Sequence, residues 1–375
     1  MSRTHRAAGA AHGRGHHADG WQRATQDEDV FADHARTPMM HDVTAGGPGL
    51  VAVGRDDGRA AAAVWTSLDG VRWERVAHDE AVLGGDAEMR SVTVGGPGLV
   101  AVGNGENRKV AAVWVSVDGQ TWKRIVHDQS DFDGPGGREM ESVTAIETGL
   151  VAVGVDWHRT SAAVWWSPDG RDWQRVTRDL PAFSGQRRQW MESVTAAGPG
   201  VVAVGHDEDR QAAAIWVSVD GLTWQRITHD QDVFGGNTEL RSVTAGGPGL
   251  VAAGHDFNRD APAFWTSADG LTWQRTTHDE HVFSKRTELR SVTAGGPGLV
   301  AVGHDFRLDA AALWTSVDGL TWQRVTHDED VFGSSKDPQD MWSVVVGGPG
   351  LVAVGGSWRN RVTAWYWTPP ETPDT

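Results

Sequence analysis

A unit of about fifty residues recurs seven times in this chain of 375, and its last copy is divided between the two ends. A Trp on an apolar run marks each copy: Trp65, Trp114, Trp165, Trp216, Trp265, Trp314 and Trp365, spaced 49, 51, 51, 49, 49 and 51 residues apart. A second marker, Ser-x-Asp-Gly-x-x-Trp, starts at Ser67, Ser116, Ser167, Ser218, Ser267 and Ser316. The chain runs out at Trp367-Thr-Pro-Pro, where this marker is due a seventh time. Near the N-terminus, Asp19-Gly20-Trp21-Gln22-Arg23 supplies a shortened version of it. Ring closure demands such a break, because an N-terminal strand that completes the last unit leaves no sheet edge at the join.

The copy from Glu239 to Thr287 shows what one unit is. Arg241–Ala245, Leu250–Gly254, Ala261–Ser267 and Thr272–Thr277 read as four short strands, each bounded by Gly, Pro or Asp-Gly signals. Asp269-Gly270 suits the tight hairpin between the third and fourth. The strands show little polar alternation, as expected of sheets covered on both faces by neighbouring sheets. The expected fold is therefore all-β: a seven-bladed β-propeller of four-stranded antiparallel blades, closed by the N-terminal strand. One domain spans 18–368, with residues 18–35 completing the last blade. Tails of 1–17 and 369–375 flank it, the first too rich in Arg, Gly, Ala and His to pack. No stretch reads as a long amphipathic helix, which excludes helical solenoids and doubly wound α/β folds. A linear β-solenoid would need capping ends rather than one divided unit.

Composition narrows the function. There is no Cys, which removes disulfides and thiolate metal sites. A net charge of −16 argues against nucleic acid and anionic membranes as partners. The N-terminus lacks a signal peptide's apolar core and no apolar run is long enough to span a bilayer, so the expected residence is cytoplasmic. A start codon assigned too far downstream would hide an export signal.

The Ser-x-Asp-Gly-x-x-Trp hairpin resembles the Asp-box (BNR repeat) of sialidase-type propellers, whose usual form carries one more residue between Asp and Gly. The whole unit also resembles bacterial propellers without an assigned function. In that family the box is a fold device: Ser and Asp hold the hairpin and the aromatic packs beneath. The resemblance implies architecture more than activity. A sialidase of that family uses an Arg triad, a Tyr nucleophile paired with Glu, and an Asp acid/base. The one Tyr here, Tyr366, lies on a third strand beside a core Trp, and the Phe/Tyr-Arg-Ile/Leu-Pro motif is absent.

Positions alike in every blade serve the blade; those that differ are free to specialise. Fourteen of the 20 Trp occupy the two repeat positions and are assigned to the core. Trp166 and Trp367 follow a core Trp and read as extra packing. Trp157, Trp190, Trp342 and Trp358 fall on the face that carries the second-to-third loops and the links between blades. Those loops vary, from Asp56-Asp-Gly-Arg59 through Asp156-Trp-His-Arg159 to Ser357-Trp-Arg-Asn360. Variable polar loops with exposed aromatics on a rigid frame describe a binding surface, though neutral drift at loop tips gives the same pattern. A ring of His41, Arg90, Glu141, Glu192, Arg241, Arg290 and Trp342 precedes the first strands and should encircle the channel mouth on that face. The candidate contacts are Trp157, Arg159, Trp190, Glu192, Arg241, Arg290, Trp342, Trp358 and Arg359, acting by stacking and charge-assisted hydrogen bonds.

His-Asp pairs end most fourth strands and some second strands, as at His206-Asp207 and His229-Asp230. Copies in separate blades suit a structural role, a buried His bonding to a strand hydroxyl such as Ser242, better than zinc or calcium. No catalytic residue, metal or cofactor is assigned. The leading expectation is a monomeric, non-enzymatic module that binds a protein or peptide. A carbohydrate-binding lectin is the alternative, and a sialidase-like glycoside hydrolase is a third reading.

Overall fold

The computed structural model describes residues 20–25, 38–107, 109–126, 129–176, 181–198, 200–357 and 361–370. Seven four-stranded antiparallel sheets stand around a central channel as the blades of a propeller. Blade 1 contains Pro38–Gly46, Gly49–Asp56, Ala61–Ser67 and Glu74–Arg75. Blade 7 takes Asp340–Gly347, Gly350–Ser357 and Arg361–Trp367 from the C-terminal end and Trp21–Arg23 from the N-terminal end. Trp21, Gln22 and Arg23 pair with Trp367, Tyr366 and Trp365. The ring is thus closed as the divided repeat requires. Of the expected tails, only Pro369 and Pro370 are among the described residues.

The core is seven seams rather than one centre. Each apolar cluster joins two neighbouring blades. Val300, Val302 and Leu313 of blade 6, for example, pack on Met341, Leu351, Trp365 and Trp21 of blade 7. This arrangement explains the continuous apolar strands, since both faces of every blade are covered. The third-strand Trp is a Trp rather than a Phe because its indole N–H also binds a link carbonyl. Trp216 donates to Ala182 at 2.7 Å and Trp365 to Val331 at 2.8 Å. The fourth-strand Trp donates to its hairpin Gly, as Trp224 does to Gly221 at 2.9 Å. In that hairpin Ser218 Oγ accepts from the Gly221 N–H, Asp220 accepts from Leu222 and Thr223, and Gly221 sits at a positive φ of 77°.

Around the channel, a hydroxyl on each of several inner strands accepts an N–H from the next blade. Val143 donates to Ser91, Val194 to Ser142, Val243 to Ser193 and Val292 to Ser242, at 3.1–3.3 Å. At the join Asp42 takes this place, accepting from Val92 N–H at 2.8 Å and from Ser343 at 2.7 Å. Ser242 therefore serves the backbone of its neighbour rather than a histidine.

The His-Asp pairs divide into two fold devices. On second strands, His206 and His304 hydrogen-bond the carbonyls of Thr238 and Gln339 in the following blade, both at 2.9 Å. The Asp that ends these second strands, and those of blades 1 and 3 where no His precedes it, is buried and binds the Arg of its own fourth strand: Asp156–Arg175 at 2.6 Å, Asp207–Arg226 and Asp305–Arg324 at 2.5 Å, with Asp56–Arg75 and Asp256–Arg275 alike. Burial alone would push these carboxyls up, but the guanidinium bonds hold all five below the ordinary range. In the links, Asp79, Asp230 and Asp328 cap one-turn helices at Glu80–Leu83, Gln231–Phe234 and Glu329–Phe332. Among the described residues, no group of three or more His, Asp and Glu is placed to hold a metal ion, and no helix is long and apolar enough to cross a membrane.

Candidate functional site

Every inner strand carries a β-bulge, and the bulge builds the channel mouth. The register shifts between Met40 and Asp42 in blade 1, between Met191 and Ser193 in blade 4, and at the matching place in the other five. The extra residue in each is His41, Arg90, Glu141, Glu192, Arg241, Arg290 or Trp342. The bulge also accounts for the Gly that follows each Leu-Val-Ala-Val run. A Cβ on Gly205 would lie 2.0 Å from the Trp190 carbonyl oxygen. These ring residues therefore lie inside the first strands, not ahead of them, because the strands begin three residues earlier than the turn signals suggest.

A second tier sits two residues before the bulge: Met39, Glu88, Glu139, Trp190, Glu239, Glu288 and Asp340. A cavity of about 300 Å³ occupies the mouth, lined by His41, Arg90, Glu141, Glu192, Glu239, Arg241, Arg290 and Trp342. The two tiers together bring three Arg against seven carboxylates.

The charges are distributed unevenly. In blades 5 to 7, Arg241 binds Glu239 and reaches Glu288 at 2.7 Å, while Arg290 reaches Glu288 at 3.2 Å and Asp340 at 3.5 Å. The Arg290 guanidinium also lies 4.5 Å above the Trp342 ring, and His41 is 5.4 Å from that ring. Arg90 serves Glu88 at 3.2 Å and Glu141 at 3.8 Å. Blades 3 and 4 are different. There Glu139 lies beside Glu141 and Trp157, and Glu192 accepts from Trp190 Nε1 at 2.6 Å. Among the described residues, neither Glu139 nor Glu192 has an ion-pair partner.

Protonation follows from that distribution. Burial, with Glu141 alongside, pushes Glu139 up to about 7. Burial and the charges of Glu141 and Glu239 lift Glu192 to about 7 as well. Burial drives His41 down to about 4, so its ring is neutral at pH 7 and its 3.3 Å approach to Glu88 is not an ion pair. Burial opposes the charge of Glu288, yet Arg241 and Arg290 hold it below its usual range.

The structure brings Trp157, Trp190 and Glu192 to one arc of the mouth, and Arg241, Arg290 and Trp342 to the other. The three Trp are partly buried against the rim rather than exposed on loop tips. Trp190 packs on His206 at 4.7 Å and Trp157 lies beneath Arg188 at 4.8 Å. Arg159 stands exposed at a loop end and does not line the cavity; its counterparts Arg210 and Arg259 brace Asp207 and Asp256 at 2.6 Å. Trp358 and Arg359 lie outside the described residues. Glu139 and Glu239 are absent from the candidate contacts read from the sequence, which starts the first strand of its example blade at Arg241. Their spacing of two from Glu141 and Arg241 is the signal that places them on the same face.

No family model matches the sequence, and no curated protein matches it. Solved structures do. A streptogramin B lyase superposes with a TM-score of 0.59 at 9% identity, covering 93% of this chain and 97% of the other. A virginiamycin B lyase from Staphylococcus aureus gives 0.57 at 8% identity, covering 92% and 98%. U3-55K gives 0.53 at 12% identity, again covering 92% and 98%. At such identities the likeness is one of fold alone.

Proposed function

We propose that this chain is a non-enzymatic interaction module whose channel mouth receives a basic segment of a protein or peptide partner. The observation that carries the reading is the arc in which Glu141 and Glu192 on the cavity wall, with Glu139 beside Glu141, face the single cation Arg90. An incoming Lys or Arg head supplies the missing cation, and Trp157 and Trp190 flank its aliphatic stem. The net charge of −16 steers the same class of partner toward the disc. Because Glu139 and Glu192 carry protons up to about pH 7, capture of a cation displaces them, so affinity rises as pH increases through 7.

The test is binding of fluorescent lysine-rich, neutral and acidic peptides to the intact protein, its E141Q variant and its E192Q variant. The reading expects the lysine-rich peptide alone to bind, at least about tenfold more weakly to each variant. Equal binding of all three peptides, or no effect of either variant, refutes it. A second reading, a two-carboxylate hydrolase, draws on the same two groups near pH 7; it requires turnover of a glycoside that E192Q abolishes. In either reading the hairpins are shortened Asp-boxes with a structural role.

A further inference from the structure

Among the described residues, one fourth-strand cation of the repeat lacks the partner that its counterparts have. In blades 1, 3, 4, 5 and 6 the last residue of the second strand is an Asp that binds the fourth-strand Arg. Blade 7 carries Ser357 there, and its Arg23 turns instead to Asp337 and the Val331 carbonyl, both at 2.8 Å. Blade 2 carries Gly105, and among the described residues its Arg124 has no hydrogen bond or ion pair. The guanidinium has moved into the space that the Asp side chain would fill: a Cβ on Gly105 would lie 2.1 Å from Arg124 Nη2. It remains stacked over Trp114 at 5.6 Å, as its counterparts do over theirs.

Beside it lies a cavity of about 290 Å³ at the rim between blades 2 and 3, bounded by Arg124, Val110, Ile125 and Phe132, with Glu106 and Asp133 at its edge. A partly buried guanidinium without a counter-ion is unfavourable, since removing one member of such a pair leaves the desolvation of the other uncompensated. Arg124 accordingly has its pKa lowered by burial, with Glu106 opposing that shift.

We infer that this cavity binds a monocarboxylate with a short apolar tail: from the cavity side the carboxylate serves Arg124 as the counter-ion that the missing Asp would have been, and the tail lies against Val110, Ile125 and Phe132. The five sister blades set the chemistry of the occupant, because in each the same guanidinium binds a carboxylate. The apolar wall selects an alkyl body, and the acidic edge disfavours a dianion. The site is separate from the channel mouth and opposite to it in charge preference.

The experiment is ligand-observed saturation-transfer NMR with butyrate, with butylamine and 1-butanol as controls, on the intact chain, R124Q and G105D. Melting curves establish that all three are folded. Butyrate should bind the intact chain and neither control ligand should compete with it. R124Q should weaken binding by about tenfold or more, the equivalent of one charge-assisted hydrogen bond. G105D, which restores the internal carboxylate, should abolish binding and raise the melting temperature. Acetylated alanine-valine peptides ending in a free carboxylate or an amide separate the two sources. Competition by the free acid peptide assigns a chain terminus, and its failure alongside bound butyrate assigns a small organic acid. Absence of butyrate binding to the intact chain, or equal binding to all three proteins, overturns the inference.

Discussion

Removing residues 1–25 tests the closure on which every side-chain placement depends. The segment contributes the outer strand of blade 7, three paired residues whose Trp21 is 1% exposed among Val331, Phe332 and Trp365. Arg23 adds its bonds to Val331 and Asp337, and Thr25 N–H reaches the Val71 carbonyl of blade 1 at 3.1 Å. Replacing a buried Trp by Ala costs about 3–5 kcal/mol. With an unfolding entropy of about 2.1 cal/mol/K per residue over roughly 350 residues, Trp21→Ala alone lowers the melting temperature by about 4–7 °C. The deletion lowers it further, because it also bares the Arg361–Trp367 edge to pairing with other chains. Differential scanning calorimetry reads the first effect and light scattering after gel filtration the second. A truncated protein that stays monomeric and melts with the intact chain would show that the ring is not held by this strand.

Further outcomes follow from the buried charges. Glu139 and Glu192 have folded-state values near 7 against an ordinary 4.5. The folded state therefore holds more protons across that interval, and stability falls as pH rises from about 4.5 through 7. Chemical denaturation at several pH values should show this slope, and the double variant E139Q/E192Q should flatten it. A slope that persists in the double variant, or its absence from the wild type, would contradict the assignment. Asp207→Ala leaves Arg226, 17% exposed, without its carboxylate. It should cost about 3–5 kcal/mol, whereas Arg226→Ala and Asp207→Ala together should cost less than their sum by double-mutant analysis.

Much of the fold was legible because a repeat supplies its own alignment. Seven Trp at near-constant spacing, Asp-Gly turns and a divided last unit give blade number, strand count and closure without any contact being known. The same comparison separated Trp216 and Trp224, which pack identically in every blade, from Trp157, Trp190 and Trp342, which do not. It also marked the rim residues His41 through Trp342 as a set, since one position varied in a background that hardly changed.

Only the folded ring decided what those residues do. Turn signals placed the start of each inner strand too late, because a β-bulge puts two successive residues toward the channel and breaks the alternation by which strand ends are read. Glu139 and Glu239, each two residues ahead of its rim residue, were left out of the strand for that reason. The pairing of Asp207 with Arg226 spans 19 residues within one blade, and the absence of its equivalent at Gly105 acquires meaning only beside Arg124. Sequence alone determined the repeat and its closure, since both depend on local periodicity. Charge pairing at the mouth and at the rim depends on distances between strands that periodicity does not encode, so it was settled by tertiary structure.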